Sequence, residues 1–214
     1  MYNQNDDCTP GEMSWISSNS TDYDSDGCRD LTEDFDDDND GKEDAIDDCL
    51  LGDLGWISTP FTDYDSDGCR DSTEDLDDDN DGVEDLDDLC PLGEVGWIST
   101  ELTDYDGDGC KDAQEDDDYD NDGVINQNDS CKRGDTFWTS NSTTDYDYDG
   151  CRDSTEDLDD DNDGVLHTSD LCSVGLSYWY SNSETDYDSD GCYDQEESLS
   201  TIPWNLSEDL DDDN

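Results

Sequence analysis

Apolar residues are thinly spread along this chain and follow no helical rhythm. Between Asp47 and Asp63, Cys49, Gly52, Gly55 and Trp56 stand among serines and threonines, and no 3.6-residue apolar period runs through them. No amphipathic helix is expected in such connecting stretches. What recurs instead is a tryptophan seven residues after a cysteine, at Trp15, Trp56, Trp97, Trp138 and Trp179, with a glycine four residues before and a serine two after each. Few other apolar side chains are at hand to bury. Each tryptophan is therefore expected to be the small core of its repeat, packed on a disulfide and on neighbours such as Ile57, Val83 or Leu86. The competing reading is an exposed aromatic ladder that stacks on sugar rings or on a partner chain. No run is apolar enough to span a membrane, and the Met1 end shows no charged stretch followed by an apolar one.

Charge changes the picture. The 214 residues include 69 Asp plus Glu against 7 Lys plus Arg, a net charge of -62, with 29% hydrophobic residues. Such a polymer ordinarily stays disordered, because it buries too little apolar surface to offset backbone entropy and repels itself. Here, though, the acids are mostly Asp at fixed spacing, interleaved with glycine, and there are ten cysteines. Cys8, Cys28, Cys49, Cys69, Cys90, Cys110, Cys131, Cys151, Cys172 and Cys192 are separated alternately by 20 and 21 residues, a repeat of 41. The boundaries this sets are 8–48, 49–89, 90–130, 131–171 and 172–214, numbered repeats 1 to 5 below, after a leading piece at 1–7. Internal repeats of this length build quasi-linear arrays in which each unit touches mainly its neighbours. Regular cysteines with a single histidine, His167, and no CxxC point to disulfides in an oxidising, extracellular or cell-surface setting rather than to zinc.

The acids then resolve into loops. From Asp22 the chain reads D-x-D-x-D-G-x-x-D-x-x-E, the ligand spacing of a twelve-residue calcium loop. Asp22, Asp24, Asp26, the carbonyl of Cys28, Asp30 and Glu33 hold positions 1, 3, 5, 7, 9 and 12, and Gly27 permits the bend at 6. Four more first-type loops follow: Asp63, Asp65, Asp67, Cys69, Asp71 and Glu74; Asp104, Asp106, Asp108, Cys110, Asp112 and Glu115; Asp145, Asp147, Asp149, Cys151, Asp153 and Glu156; and Asp186, Asp188, Asp190, Cys192, Asp194 and Glu197. A second type starts fourteen residues after a first: Asp36, Asp38, Asp40, Lys42, Asp44 and Asp47; Asp77, Asp79, Asp81, Val83, Asp85 and Asp88; Asp118, Asp120, Asp122, Val124, Asn126 and Asp129; and Asp159, Asp161, Asp163, Val165, His167 and Asp170. Nine complete loops in register are a binding inventory; a merely solvated acidic face needs neither the glycines nor the twelfth-position acids. Asn126 can still offer an oxygen at position 9, whereas His167 suits calcium poorly, so the Asp159 loop is expected to be weakened.

These are not EF-hands, because only two residues separate Glu33 from Asp36 and no helix fits there. Tandem loops of this kind, with a cysteine just after the closing acid (DDC at Asp47 to Cys49, DLCP at Asp88 to Pro91), resemble thrombospondin type 3 repeats, from which the tryptophan connectors depart. The resemblance implies little regular secondary structure, an elongated, solenoid-like array wrapped around a string of calcium ions, and disulfides fastening successive turns. It also implies calcium-dependent stiffening of an extracellular protein. Two disulfide registers can be written. Pairing across the 20-residue gaps uses all ten cysteines and closes each tryptophan connector; pairing across the 21-residue gaps strands Cys8 and Cys192. The first is expected, and each closed loop is worth roughly 3 kcal/mol through loop entropy.

Met1 to Cys8 aligns with Val124 to Cys131, placing Asn3 and Asp6 at positions 9 and 12 of a loop, and Asp211 and Asp213 open another after an insertion near 198–208. The chain is thus read as a segment of a longer repetitive protein, or as one whose copies meet head to tail and complete a site. With that site there would be about ten ions or more, bringing -62 to about -42. Asn19, Asn141 and Asn205 open glycosylation sequons at expected surface turns, while Asn128 lies inside a calcium loop and is a poor acceptor. The function classes that remain are a stalk, adhesin segment or filament, a glycan- or protein-binding module, and a calcium store. An enzyme is disfavoured, with no Ser/His/Asp or Cys/His set and no phosphate-cradling glycine loop. Nucleic acid would be repelled by the charge.

Overall fold

A computed structural model describes residues 7, 8 and 10–194. Asn3, Asp6, Glu197, Asn205, Asp211 and Asp213, with the insertion near 198–208, lie outside them. Among the described residues there is no helix and no strand; the backbone runs through turns and bends. The loops explain this. Ser25 and Gly27 have φ of 67° and 96°, and Asn39 and Gly41 of 59° and 99°, so two left-handed residues in each loop interrupt any regular ladder. The chain divides into two compact bodies, Met1–Glu115 and Asp116–Asn214, with the division between the two loops of repeat 3.

Disulfides and buried aspartates take the place of an apolar core. Cys8–Cys28, Cys49–Cys69, Cys90–Cys110, Cys131–Cys151 and Cys172–Cys192 are bonded, each pair 20 residues apart, which is the register expected from the spacing. The largest fully buried side chains are all aspartates, among them Asp40, Asp63, Asp81, Asp122, Asp145 and Asp163.

The tryptophans are covered, though two of the apolar neighbours the pattern suggested stay largely exposed. Trp56 is buried and the other four are half-buried, whereas Ile57 is 59% and Leu86 94% exposed. For four of them, cover comes from the residue after the position-7 cysteine. Arg70, Lys111 and Arg152 stand 5.9, 5.6 and 5.8 Å over the rings of Trp56, Trp97 and Trp138. A guanidinium or ammonium on an aromatic face gains both area and charge–quadrupole attraction. Arg29, Arg70 and Arg152 also pair with the acid three residues before the tryptophan, Glu12, Asp53 and Asp135. Repeat 5 changes both partners together: Leu176 replaces the acid, and Tyr193 replaces the cation, meeting Trp179 edge-on at 5.1 Å.

The recurring glycine and serine of the connectors position the loops. Gly52, four residues before Trp56, donates its N–H to Asp38 Oδ2 at 2.8 Å. A Cβ there would stand 2.9 Å from Asp38 Oδ2, Cys49 O and Glu74 Oε1, so only glycine fits. Ser58, two residues after Trp56, donates its N–H to Asp40 O at 2.8 Å and its hydroxyl to Asp63 Oδ2. One serine therefore joins the second-type loop of repeat 1 to the first-type loop of repeat 2. Ser99, Ser140 and Ser181 donate to Asp104, Asp145 and Asp186 in the same way, at 2.6, 2.6 and 2.5 Å. Tyr23 and Tyr64, at position 2 of their loops, reach forward to Gly52 O and Gly93 O at 3.0 and 2.9 Å.

Candidate metal sites

In the second-type loops the backbone first folds around its own carboxylates. Asp36 Oδ2 accepts the N–H of Gly41 at 3.0 Å, Asp38 Oδ1 that of Asp40 at 3.2 Å, and Asp40 Oδ1 that of Lys42 at 2.7 Å. These turns swing Asp36, Asp38 and Asp40 together, with one oxygen from each within 4.8 Å of the others. Asp47, at position 12, accepts the N–H of Cys49 through Oδ1 at 2.7 Å. What remains is diagnostic: Asp36 Oδ1, Asp40 Oδ2 and Asp47 Oδ2 are buried and accept no hydrogen bond. Repeat 4 repeats the set with Asp159 Oδ1, Asp163 Oδ2 and Asp170 Oδ2. Among the described residues no backbone N–H is donated to the carbonyls of Lys42 or Val83, which hold position 7.

Unshared buried carboxylates are expensive, and their acidities show it. Burial first, and the other acids of the loop after it, push Asp81 up to about 6 and Asp122 and Asp163 up to about 7. The position-12 acids Asp47, Asp88, Asp129 and Asp170 are pushed up to about 6 for the same reasons. A cation at the common centre would reverse that cost. A set of oxygens without nitrogen or thiolate, several of them unpartnered, fits a hard divalent ion of high coordination number.

First-type loops are built differently at their closing end. Asp22, Asp24 and Asp26 form one cluster, and Asp63, Asp65 and Asp67 another. Asp63 Oδ1 accepts the Asp67 N–H at 3.0 Å and Oδ2 the Gly68 N–H at 3.3 Å. At position 12, Glu33 and Glu74 lie against their own connectors: Glu33 Oε1 accepts the Glu12 N–H, and Glu156 Oε1 that of Asp135 at 2.6 Å. Their other oxygens, Glu33 Oε2 and Glu74 Oε2, are buried without a partner, and the acid at the next position is the one that groups with the loop's own acids. Asp34 groups with Asp26, and Asp24 and Asp26 help burial push it up to about 6; Asp75 is pushed up to about 6 by burial with Asp67 and Asp65. Cys28 Sγ lies beside Asp26 and Asp34 but is committed to its disulfide and offers no thiolate.

Position 9 braces each loop from outside. Asp30, Asp71, Asp112 and Asp153 accept through Oδ1 the N–H of the tyrosine at position 2, at 3.0–3.1 Å. Asp44 and Asp85 do the same for Asp37 and Asp78, both at 2.9 Å, and Asn126 for Tyr119 at 3.3 Å. Sequence reasoning missed two sets of residues here. The inward acids Asp34, Asp75 and Asp157 follow the twelfth position in an unbroken Glu-Asp doublet, which was the available signal. Asn39, Asn80, Asn121 and Asn162, at position 4, all have left-handed φ between 56° and 59°, a conformation asparagine tolerates. Asn80 also donates to Asp65 Oδ2 at 2.6 Å, tying the two loops of its repeat together. Asn19 and Asn141 are exposed, and among the described residues no helix is long and apolar enough to cross a membrane.

No protein-family model matches this chain, and no curated protein matches it.

Proposed function

We propose that this chain is an extracellular or cell-surface structural protein, stiffened by calcium into an elongated array of loops. The observation that carries this reading is the set of buried, unpartnered carboxylate oxygens that converge in the second-type loops. Among the described residues the buried apolar side chains are Trp56 and five disulfide-bonded cysteines, so little competes with them for the interior. Without an ion they repel one another and unravel the loops; with one, they become the strongest cross-link in each repeat. Tandem loops and cysteine spacing make the architecture similar to thrombospondin type 3 repeats, with the cation-covered tryptophan as an added element. The ring contacts of Arg70, Lys111 and Arg152 favour a structural role for the tryptophans over a sugar-stacking ladder. No catalytic role is assigned to any of the acids.

Small-angle scattering of the disulfide-intact chain during a calcium titration tests this. Extracellular calcium modules bind near 10⁻⁴ to 10⁻³ M. A cooperative change in dimensions over that range is expected, with magnesium much less effective. Identical scattering in chelator and in millimolar calcium would overturn it.

A further inference from the structure

Between the two loops of a repeat lies a second group of side chains. In repeat 1 it comprises Asp30, Asp34 and Asp37, with one oxygen from each within 4.8 Å of the others. Asp37 is only 8% exposed, and its Oδ1 is buried and accepts no hydrogen bond. Its N–H is held by Asp44, so positions 2 and 9 of the second loop meet at this joint. Repeat 2 places Asp78 and Asp85 there, repeat 3 Tyr119 and Asn126, and repeat 4 Asp160 and His167, the only histidine of the chain.

Repeat 4 is the exception in chemistry as well as in sequence. His167 Nδ1 lies 3.5 Å from Asp160 Oδ1. Both atoms are buried, yet neither makes a hydrogen bond, and Asp157 Oδ2 is a third buried atom without one. Asp153, from the first loop, interacts electrostatically with Asp160 and Asp157, and its Oδ1 is held by the Tyr146 N–H at 3.0 Å. Two ligand atoms bound tetrahedrally at 2.0–2.1 Å stand about 3.3 Å apart, close to the separation of the histidine–aspartate pair.

We propose that the joint of repeat 4 is a transition-metal site of the zinc class, with His167 Nδ1 and the carboxylates of Asp153, Asp157 and Asp160 as its donors. Coordination through Nδ1 leaves the imidazole proton on Nε2. Calcium gains little from a nitrogen donor, whereas zinc and its neighbours in the series prefer imidazole. The all-carboxylate joint of repeat 1 lacks that preference. Each chain therefore carries one site of different selectivity among many hard-cation loops, and this assignment stands whether or not those loops bind calcium.

The test is a zinc titration of the whole chain in saturating calcium, followed by calorimetry and by the proton resonances of the single imidazole. One zinc per chain is expected, with the imidazole signals shifting to completion at one equivalent. His167→Gln should weaken it at least tenfold, since loss of even a supporting partner costs about 10- to 100-fold. His167→Asp restores the residue of repeats 1 and 2; it should lose the zinc site while keeping the wild-type tryptophan emission and near-ultraviolet circular dichroism, which excludes misfolding as the cause. Zinc binding equally tight in His167→Gln, an unshifted imidazole, or no zinc uptake by the calcium-loaded chain would each overturn the assignment.

Discussion

Gly41 and Gly68 both occupy position 6 of a loop, with φ of 99° and 95°, yet alanine should affect them very differently. The conformational cost is shared: a Cβ in the left-handed region costs roughly 1–2 kcal/mol at either site. The space around them is not shared. At Gly41 the nearest atom to a new Cβ is the Ile57 methyl at 3.8 Å, which is ordinary contact. At Gly68 it is Asp47 Oδ1 at 2.2 Å, with Asp47 Cγ at 2.7 Å. Asp47 is the closing acid of the preceding loop and cannot swing away without releasing the Cys49 N–H and its place beside Asp36, Asp38 and Asp40. Forced displacement of packed atoms adds about 1–3 kcal/mol. Gly41→Ala should thus cost about 1–2 kcal/mol and Gly68→Ala about 2–5 kcal/mol in calcium-saturated thermal unfolding. Calorimetry should also show Gly68→Ala weakening a calcium site in repeat 1, one repeat away from the substitution. Equal costs at the two glycines, or calcium affinity changed only in the Asp63 loop, would refute the coupling of adjacent loops through Asp47.

Acid should compact the calcium-free chain. Asp81, Asp88, Asp122 and Asp163 have folded-state pKa values raised from 3.8 to about 6 or 7, so their contribution is fully present below about pH 4 and is lost as the pH rises through 6 to 7. Scattering in chelator should therefore show smaller dimensions at pH 4.5 than at pH 8, and equal dimensions would contradict the burial of these acids. Arg70→Gln should uncover the Trp56 ring and cost about 0.5–1 kcal/mol, read as a red shift in tryptophan emission that Arg70→Lys largely avoids. Tyr148 sits at position 4 with φ of 62°, where other first-type loops have serine or glycine. Tyr148→Gly should stabilise the calcium-bound protein by about 1 kcal/mol, visible as a raised unfolding temperature; a lowered one would mean that the half-exposed ring makes contacts outweighing its strain.

Spacing alone determined much about this protein. The 41-residue period, the loops with glycine at position 6 and the disulfide register were all legible, because each depends on local chain geometry: a six-residue bend, a twenty-residue closure. The absence of helices among the described residues was legible for the same reason, since their connectors carry no apolar period to bury. What the sequence could not decide is which of several adjacent acids faces which centre. Glu33 and Asp34 are neighbours with the same charge, and only the path of the connector past Glu12 lays one against that connector and turns the other toward Asp24 and Asp26. Spacing also does not show that position 9 braces the N–H of position 2, as Asp44 does for Asp37, or that Asp160 and His167 meet at the joint. The cover of Trp56, Trp97 and Trp138 arrives from fourteen residues away, through a cation whose place is set by the disulfide beside it. In a chain with almost no apolar core, local geometry builds the loops, but electrostatics across loops decides how every acid is used.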